Sequence, residues 1–91
     1  MEIKSGENKF YIGDDIKNTD AEVHYVPAGA TRIIVDHTHV GEQLRGQGVG
    51  EQLVESVIGY ARENNLMIVP LCPFAKHQFE IHPEYADVLA K

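Results

Sequence analysis

The chain has 91 residues, of which 43% are hydrophobic and 24% are charged. These values are ordinary for a small globular protein and exclude a disordered tail or a fibrous repeat. The net charge of −6 argues against binding to nucleic acid or to an anionic membrane, because both need a basic surface. From the length we expect one domain over residues 1–91. From the charge we expect that it binds neither nucleic acid nor a membrane.

The amino-terminal residues show no basic stretch followed by an apolar run, so they do not resemble a signal peptide. The longest apolar stretch, from Leu66 to Phe74, is far shorter than the ~20 residues that span a bilayer. A single cysteine, Cys72, excludes an internal disulfide and suits a reducing compartment. These features predict a soluble, cytoplasmic protein.

Three strand-like segments fill the first part of the chain. Lys9 to Ile12 ends at a Gly-Asp-Asp turn, Ala21 to Val26 follows it, and Thr31 to Val40 is rich in β-branched residues. Their connections are too short for a crossover, so antiparallel pairing is favoured. Alternation places Val23 and Tyr25 on one face of the second strand.

The clearest helix follows a stretch from Gly41 to Gly50 that contains four glycines in ten residues. Apolar residues recur at helical spacing from Val49 to Ala61 and form a stripe that can be buried. Asn64 and Asn65 then supply residues that tolerate the left-handed conformation at a helix end.

The segment from Leu66 to Cys72 is apolar on both faces, which is typical of a strand covered on both sides. A strand, a helix and a strand in this order predict a right-handed βαβ crossover between parallel neighbours. Pro70 cannot donate a ladder hydrogen bond, so it indicates an edge, a bulge or a place where two strands part. Pro73 is suited to the first position of a short last helix, which Pro83 stops.

The loop Arg45-Gly46-Gln47-Gly48-Val49-Gly50 lies between a strand end and a helix start. Glycines allow backbone amides to approach an anion there, and the first-turn N–H groups of a helix have no partner within it. Neither the P-loop nor the dinucleotide-binding pattern fits, because Glu51 and Gln52 follow the last glycine and the glycine spacing differs. The alternative is a turn that only reverses the chain into the helix.

The spacing of Arg45, Gly48 and Gly50 (Arg-x-x-Gly-x-Gly) resembles the acetyl-coenzyme A motif of the GNAT superfamily of N-acetyltransferases. The segment LRGQGVGEQLVESVIGYARENNL is similar to that superfamily's signature helix. The segments IVPLCPF and HPEY are similar to sequences of its shortest stand-alone branch. The resemblance covers Ala21 to Tyr85. It implies a minimal α+β fold: a mixed, mostly antiparallel sheet, one right-handed βαβ crossover and a short C-terminal helix. Larger members have additional helices before their first strands, and none is predicted here.

The resemblance also implies a site for acetyl-CoA or coenzyme A. Amides of the loop would hold the pyrophosphate, the edge of the preceding strand would pair with the pantetheine arm, and an aromatic side chain after the next strand would contact the cofactor. Pro70 would lie where the two parallel strands splay. The implied cofactor-binding residues are His39, Val40, Arg45, Gly46, Gln47, Gly48, Val49, Gly50 and Phe74.

Cys72 precedes Pro73 and is therefore expected at the N-cap of the last helix, where unpaired N–H groups favour a thiolate. In the short branch a cysteine at this place is proposed as catalytic together with a strand histidine. That resemblance implies that His37 pairs with Cys72 as general base or as a neighbouring cation, with His39 as the alternative histidine. The other interpretation is that Cys72 is a small buried apolar residue and the histidines are polar strand residues. A zinc site is disfavoured because only one cysteine is available.

Two functions follow from these interpretations. The first is an acetyl-CoA-dependent N-acetyltransferase that acts on an amine, directly or through an acetyl group carried by Cys72. The second is a non-catalytic module that binds or senses coenzyme A. The acidic surface favours a basic acceptor, such as a polyamine or a lysine-rich protein segment. A monomer or a weak dimer is expected.

Overall fold

The computed structural model describes residues 2–90. Five strands, two α-helices and two 3₁₀ segments follow one another along the chain. Within that range no helix has the length and apolarity needed to cross a membrane. The elements are β1 (Lys4–Gly6), β2 (Lys9–Ile12), β3 (Ala21–Pro27), β4 (Arg32–Val40), a 3₁₀ segment (Glu42–Leu44), α1 (Val49–Asn64), β5 (Met67–Pro70), α2 (Pro73–Ile81) and a second 3₁₀ segment (Pro83–Val88).

The strands form one sheet in the order β1-β2-β3-β4-β5. All neighbours pair antiparallel except β4 and β5, which are parallel and are joined through α1. The predicted fold class, a mixed and mostly antiparallel sheet with one βαβ unit, is therefore confirmed. Strand β1 was not predicted. Its tight turn places Glu7 and Asn8 at φ of 48° and 61°, and a left-handed glutamate is a weak turn signal in a sequence.

Both helices pack on the same face of the sheet. Val23 of β3 and Val35 of β4 enclose one part of the core together with Val54 of α1 and Phe79 of α2. Inward residues of the two central strands are buried, including Val23 and Tyr25, as the alternation predicts. The opposite side, which we call the open face, carries Glu22, His24, His37 and His39, and no helix among residues 2–90 covers it.

Helix α1 begins and ends at residues with left-handed backbone. Gly48 at its N-cap has φ of 72°, and Asn65 at its C-cap has φ of 55° and donates its N–H to the carbonyls of Ala61 and Arg62. Glycine and asparagine adopt this conformation at little cost. The predicted bounds of this helix are confirmed.

A β-bulge interrupts the pairing of β3 with β4. Tyr25 lies opposite Val35, but His24 lies opposite His37, so Asp36 is an additional residue on β4. A bulge shifts the alternation of side chains by one position. Beyond it Thr38 points toward the helices, whereas His37 and His39 lie on the open face.

Strand β5 is shorter than predicted: it ends at Pro70, not at Cys72. The last β4–β5 pair is Val35 with Pro70, after which the amides of Leu71 and Cys72 both donate to the Val35 carbonyl, at 3.0 and 3.1 Å. The chain then turns into α2, since proline cannot continue the ladder. Between Asp36 and Val40, β4 pairs with no strand on this side among the described residues, and we call this gap the split.

Candidate functional site

A cleft of about 480 Å³ lies where the split meets the N-terminus of α1. Seven of the nine predicted cofactor-binding residues line it, and the other two do not. The lining residues are Val40, Leu44, Arg45, Gly46, Gly48, Val49, Gly50, Glu51 and Phe74. The structure therefore brings the glycine loop, the end of β4 and the start of α2 to one place.

The loop is shaped by glycines in the left-handed region. Gly46 and Gly48 have φ of 79° and 72°, and a Cβ at either position would meet no atom within 4 Å. The space above this part of the loop is therefore open. No side chain caps the first turn of α1 at Gly48. Residues of that turn line the cleft, and the first N–H groups of a helix have no partner within it.

Gly50 has a different reason to be glycine. A Cβ on it would lie 2.8 Å from Cζ of Phe74, which is closer than van der Waals contact allows. The absent side chain thus lets the Phe74 ring lie against the first turn of α1. Phe74 remains 37% exposed and forms an apolar wall of the cleft.

Arg45 lies at the rim, where its Nε donates to the Val40 carbonyl at 3.2 Å. This bond holds an exposed guanidinium beside the loop, and a guanidinium provides donors suited to phosphate oxygens. Two lining residues were missed. The sequence gives only a weak indication of either one. Leu44 is an apolar residue within a polar stretch, and Glu51 is an acidic residue in the first turn of a helix.

Gln47 and His39 are the two predicted binding residues outside the cleft lining. The Gln47 side chain turns back, and its Nε2 donates to the Gln43 carbonyl at 2.9 Å. His39 is exposed on the open face. Any contact of these two residues with a ligand would come from their backbone groups, as the family resemblance implies for the loop amides and the strand edge.

Cys72 is the N-cap residue of α2 and Pro73 is its first residue, as predicted. The cysteine is only 7% exposed, and its Sγ donates to Oγ1 of Thr38 at 3.3 Å. This contact crosses the split close to its origin.

The predicted pairing of His37 with Cys72 is not present in the structure. The bulge at Asp36 turns Thr38, rather than His37, toward Cys72. His37 lies instead on the open face, with its Nε2 3.9 Å from Oε2 of Glu22. An unbroken strand would have kept His37 on the same side as Val35, so the difference arises from one inserted residue.

Glu22 is held by three neighbours on the open face. Burial acts to raise its pKa, but hydrogen bonds from Thr19 and Lys9, the charge of Lys9 and the nearby His37 outweigh burial and lower the pKa. The Thr19 Oγ1 and Lys9 Nζ atoms lie 2.6 and 3.2 Å from Oε1 of Glu22. His37 therefore faces an ionised carboxylate at neutral pH.

Among residues 2–90, no three His, Cys, Asp or Glu side chains come together in a way that could hold a metal ion. The cleft is instead built from backbone amides, one arginine and apolar walls. That donor set suits an anion attached to an apolar or amide-containing chain.

A mixed sheet that splits beside a glycine-rich helix N-terminus defines the class of protein to which this chain should be compared. The profile of the GCN5-related N-acetyltransferase family matches residues 9–88. This match covers most of the chain, and the chain belongs to that family of enzymes. The resemblance inferred from the loop and the helix is thereby confirmed. No protein with a curated description matches the chain.

The solved structures that share the fold include the following two. The solution structure of a GCN5-like candidate N-acetyltransferase from Staphylococcus aureus is 52% identical, with a TM-score of 0.83, and the match covers 98% of this chain and 87% of that one. A GNAT family acetyltransferase from Elizabethkingia anophelis, crystallised with acetyl-CoA bound, is 18% identical with a TM-score of 0.58. That match covers 85% of this chain and 51% of the other, and at this identity it shows the fold alone.

Proposed function

We propose that this protein is an acetyl-CoA-dependent N-acetyltransferase that moves an acetyl group to an amine. One observation carries the proposal: the cleft at the N-terminus of α1 is lined by seven of the nine predicted binding residues, from the glycine loop to Phe74. Membership of the GCN5-related family and the acetyl-CoA held by the Elizabethkingia protein support the same reaction.

The residues of the cleft fit the parts of coenzyme A. Amides of the first turn of α1, open space over Gly46 and Gly48 and the Arg45 guanidinium suit a pyrophosphate. The edge of β4 from Asp36 to Val40 has no β5 partner, and such an edge can bind the amides of an extended pantetheine arm as an added strand does. When bound, acetyl-CoA supplies an activated acyl group as a thioester.

Two routes from thioester to amine were left open by the sequence. A route through an acetyl group on Cys72 is supported by the position of this residue at the origin of the split and at a helix N-terminus. The route also needs a base to deprotonate the thiol, and Thr38 occupies the place predicted for the histidine. We therefore propose direct attack by the amine as the main route. The role of Cys72 as nucleophile and the role of His37 as its general base or neighbouring cation stay predictions.

The anion site can be tested at Gly48 with two side chains of equal size. Gly48→Asp and Gly48→Asn both place a side chain into open space at a position with φ of 72°, where either residue is tolerated. They differ in charge, and a carboxylate near the pyrophosphate costs on the order of 1–4 kcal/mol at about 4 Å. We expect Gly48→Asp to bind acetyl-CoA at least tenfold more weakly than Gly48→Asn, as measured by calorimetric titration.

Gly29 supplies the matched control. It lies in the turn between β3 and β4 with φ of 77°, and a Cβ at this position would meet no atom within 4 Å. Gly29→Asp should bind acetyl-CoA as the wild type does. Equal affinity of the two Gly48 variants would contradict the proposed anion site, and absence of binding by the wild type would leave the loop as a turn only.

A further inference from the structure

A histidine and an aspartate form a close pair on the open face beside the split. Nδ1 of His24 lies 2.8 Å from Oδ1 of Asp36. The His24 and Asp36 side chains are 33% and 39% exposed. They are held by two neighbouring strands, so the pair is part of the sheet rather than a contact between mobile surface groups.

The bulge places Asp36 at the origin of the split, with His24 beside it on the neighbouring strand β3. Asp36 is the additional residue of β4 and directly follows Val35, which is the last β4 residue paired with β5. Cys72 and Thr38 meet at the same origin from the helix side. The His24–Asp36 pair therefore lies on the opposite side of the sheet from the buried thiol, on the side that solvent reaches.

The pair has the geometry of a positioned base. A carboxylate that accepts a hydrogen bond from Nδ1 fixes the tautomer in which Nε2 has a free lone pair. The charged groups that face His24 are Lys9 on β2 and His37 on β4, which lie directly opposite it, Glu22 two residues away on the same face, and Asp36 itself. Lys9 is engaged by Glu22 at 3.2 Å, which leaves Asp36 as the partner of His24.

We propose that His24, oriented by Asp36, accepts the proton of the acceptor amine, which approaches from the open face. This inference rests on the proposed acetyl transfer. The amine nitrogen forms a bond to the thioester carbonyl carbon, and the carbon–sulfur bond breaks. The proton lost from nitrogen goes to Nε2 of His24 and then to solvent, and the departing thiolate takes a proton from water. The products are an amide and a free thiol.

The test compares His24→Gln and Asp36→Asn with the wild type, using n-butylamine and spermidine as acceptor probes. General base catalysis contributes about 10²- to 10⁴-fold, so we expect His24→Gln to lower kcat/KM by on the order of 10². We expect Asp36→Asn to lower it about tenfold, as loss of an orienting partner does. The pH profile of the rate should differ between the wild type and His24→Gln, because both share the ionisation of the acceptor amine but only the wild type has the imidazole.

The hydrogen bond between His24 and Asp36 can also be examined without measuring catalysis. Nitrogen-15 NMR of the free wild-type protein should show the His24 ring protonated at Nδ1 and bare at Nε2. Asp36→Asn should change this to a mixture of tautomers. If Asp36 had only a structural role, Asp36→Asn would change the tautomer of His24 but leave the pH profile of the rate unchanged.

His77→Gln is the matched control, because His77 also has a carboxylate neighbour, Glu80 at 3.7 Å, but lies on the exposed side of α2. It should keep wild-type rates.

Calorimetry distinguishes failure of the proposed function from failure of the proposed role of His24, since His24→Gln should bind acetyl-CoA as the wild type does. If the wild type binds no acetyl-CoA, or binds it but acetylates no probe amine between about pH 6 and 9, the proposed function fails. If the wild type acetylates the amine but His24→Gln keeps the wild-type rate and pH profile, the role of His24 is wrong.

Discussion

Cys72 lies at the N-terminus of α2 with its thiol 3.3 Å from the Thr38 hydroxyl. Its position alone favours reactivity, because the first turn of a helix stabilises a thiolate. Its contacts are those of a buried residue, since it is 7% exposed and its hydrogen-bond partner is a neutral hydroxyl. At the scale of one residue, the reactivity of Cys72 thus depends on the neighbouring Thr38 hydroxyl as much as on its position at the helix N-terminus.

Replacement of this residue distinguishes the two routes. We expect Cys72→Ala to keep acetyl transfer within about tenfold of the wild type, because direct attack does not need the thiol. Intact-mass measurement of the wild type after incubation with acetyl-CoA should show no stable gain of one acetyl group. Cys72→Ser serves as a control for packing, since it retains most of the buried volume.

The opposite result would be equally clear. A stable acetyl gain that maps to Cys72, together with loss of turnover in both Cys72→Ala and Cys72→Ser, would establish an acetyl-enzyme. Normal acetyl-CoA binding by these variants would show that the loss concerns chemistry rather than the cofactor site.

At the scale of elements, the N-terminus of α1 affects stability and also lies in the proposed anion site. Glu51 lies in its first turn and lines the cleft. An acidic side chain there stabilises the helix by about 0.3–1 kcal/mol through the helix dipole. The same charge would repel a pyrophosphate bound at the proposed site, so stability and binding would conflict at this residue.

Glu51→Gln should therefore separate affinity from stability. We expect its affinity for acetyl-CoA to rise by roughly two- to fivefold at low salt and less at high salt, because screening weakens the repulsion. The free energy of unfolding should fall by about 0.3–1 kcal/mol, measured in urea. Glu55→Gln, one turn further along α1, is the control and should change affinity less. An unchanged Glu51→Gln affinity at low salt would argue that the anion binds elsewhere.

At the scale of the whole molecule, an aromatic cluster joins the sheet to α1. The ring centroids of Phe10 on β2, Tyr25 on β3 and Tyr60 on α1 lie 5.4 to 6.0 Å apart. Burial, and next the hydrogen bond and charge of Tyr60, raise the pKa of Tyr25 to about 12. The folded protein therefore holds the Tyr25 proton more tightly than the unfolded chain does.

This raised pKa predicts a loss of stability in alkali. The contribution is fully present below the unfolded value of about 10 and disappears as the pH rises toward 12. In that range the free energy of unfolding should fall by up to about 1.4 kcal/mol per pH unit from this one group. Urea unfolding followed by circular dichroism at several pH values should show a shallower fall for Tyr25→Phe. The same slope in both proteins would mean that Tyr25 ionises without unfolding.

Some features could be read from short stretches of sequence because their causes are local. The bounds of α1 follow from Gly48 and Asn65, and the start of α2 follows from Pro73. The position of the glycine loop at the start of α1 could be predicted for the same reason. Strand β1 escaped detection because three residues carry too little pattern, and β5 proved shorter than its apolar run because Pro70 ends the pairing.

The sequence by itself determined the order of the elements from β2 to α2, the helix ends, the glycine loop and the family to which the chain belongs. Only the tertiary structure decided that Thr38, rather than His37, meets Cys72, and that His24 meets Asp36. The reason is physical: helix caps and turns depend on the conformational preferences of a few adjacent residues. The side to which a strand residue points beyond a bulge depends on register with a neighbouring strand, and register is set by packing between residues far apart in the chain.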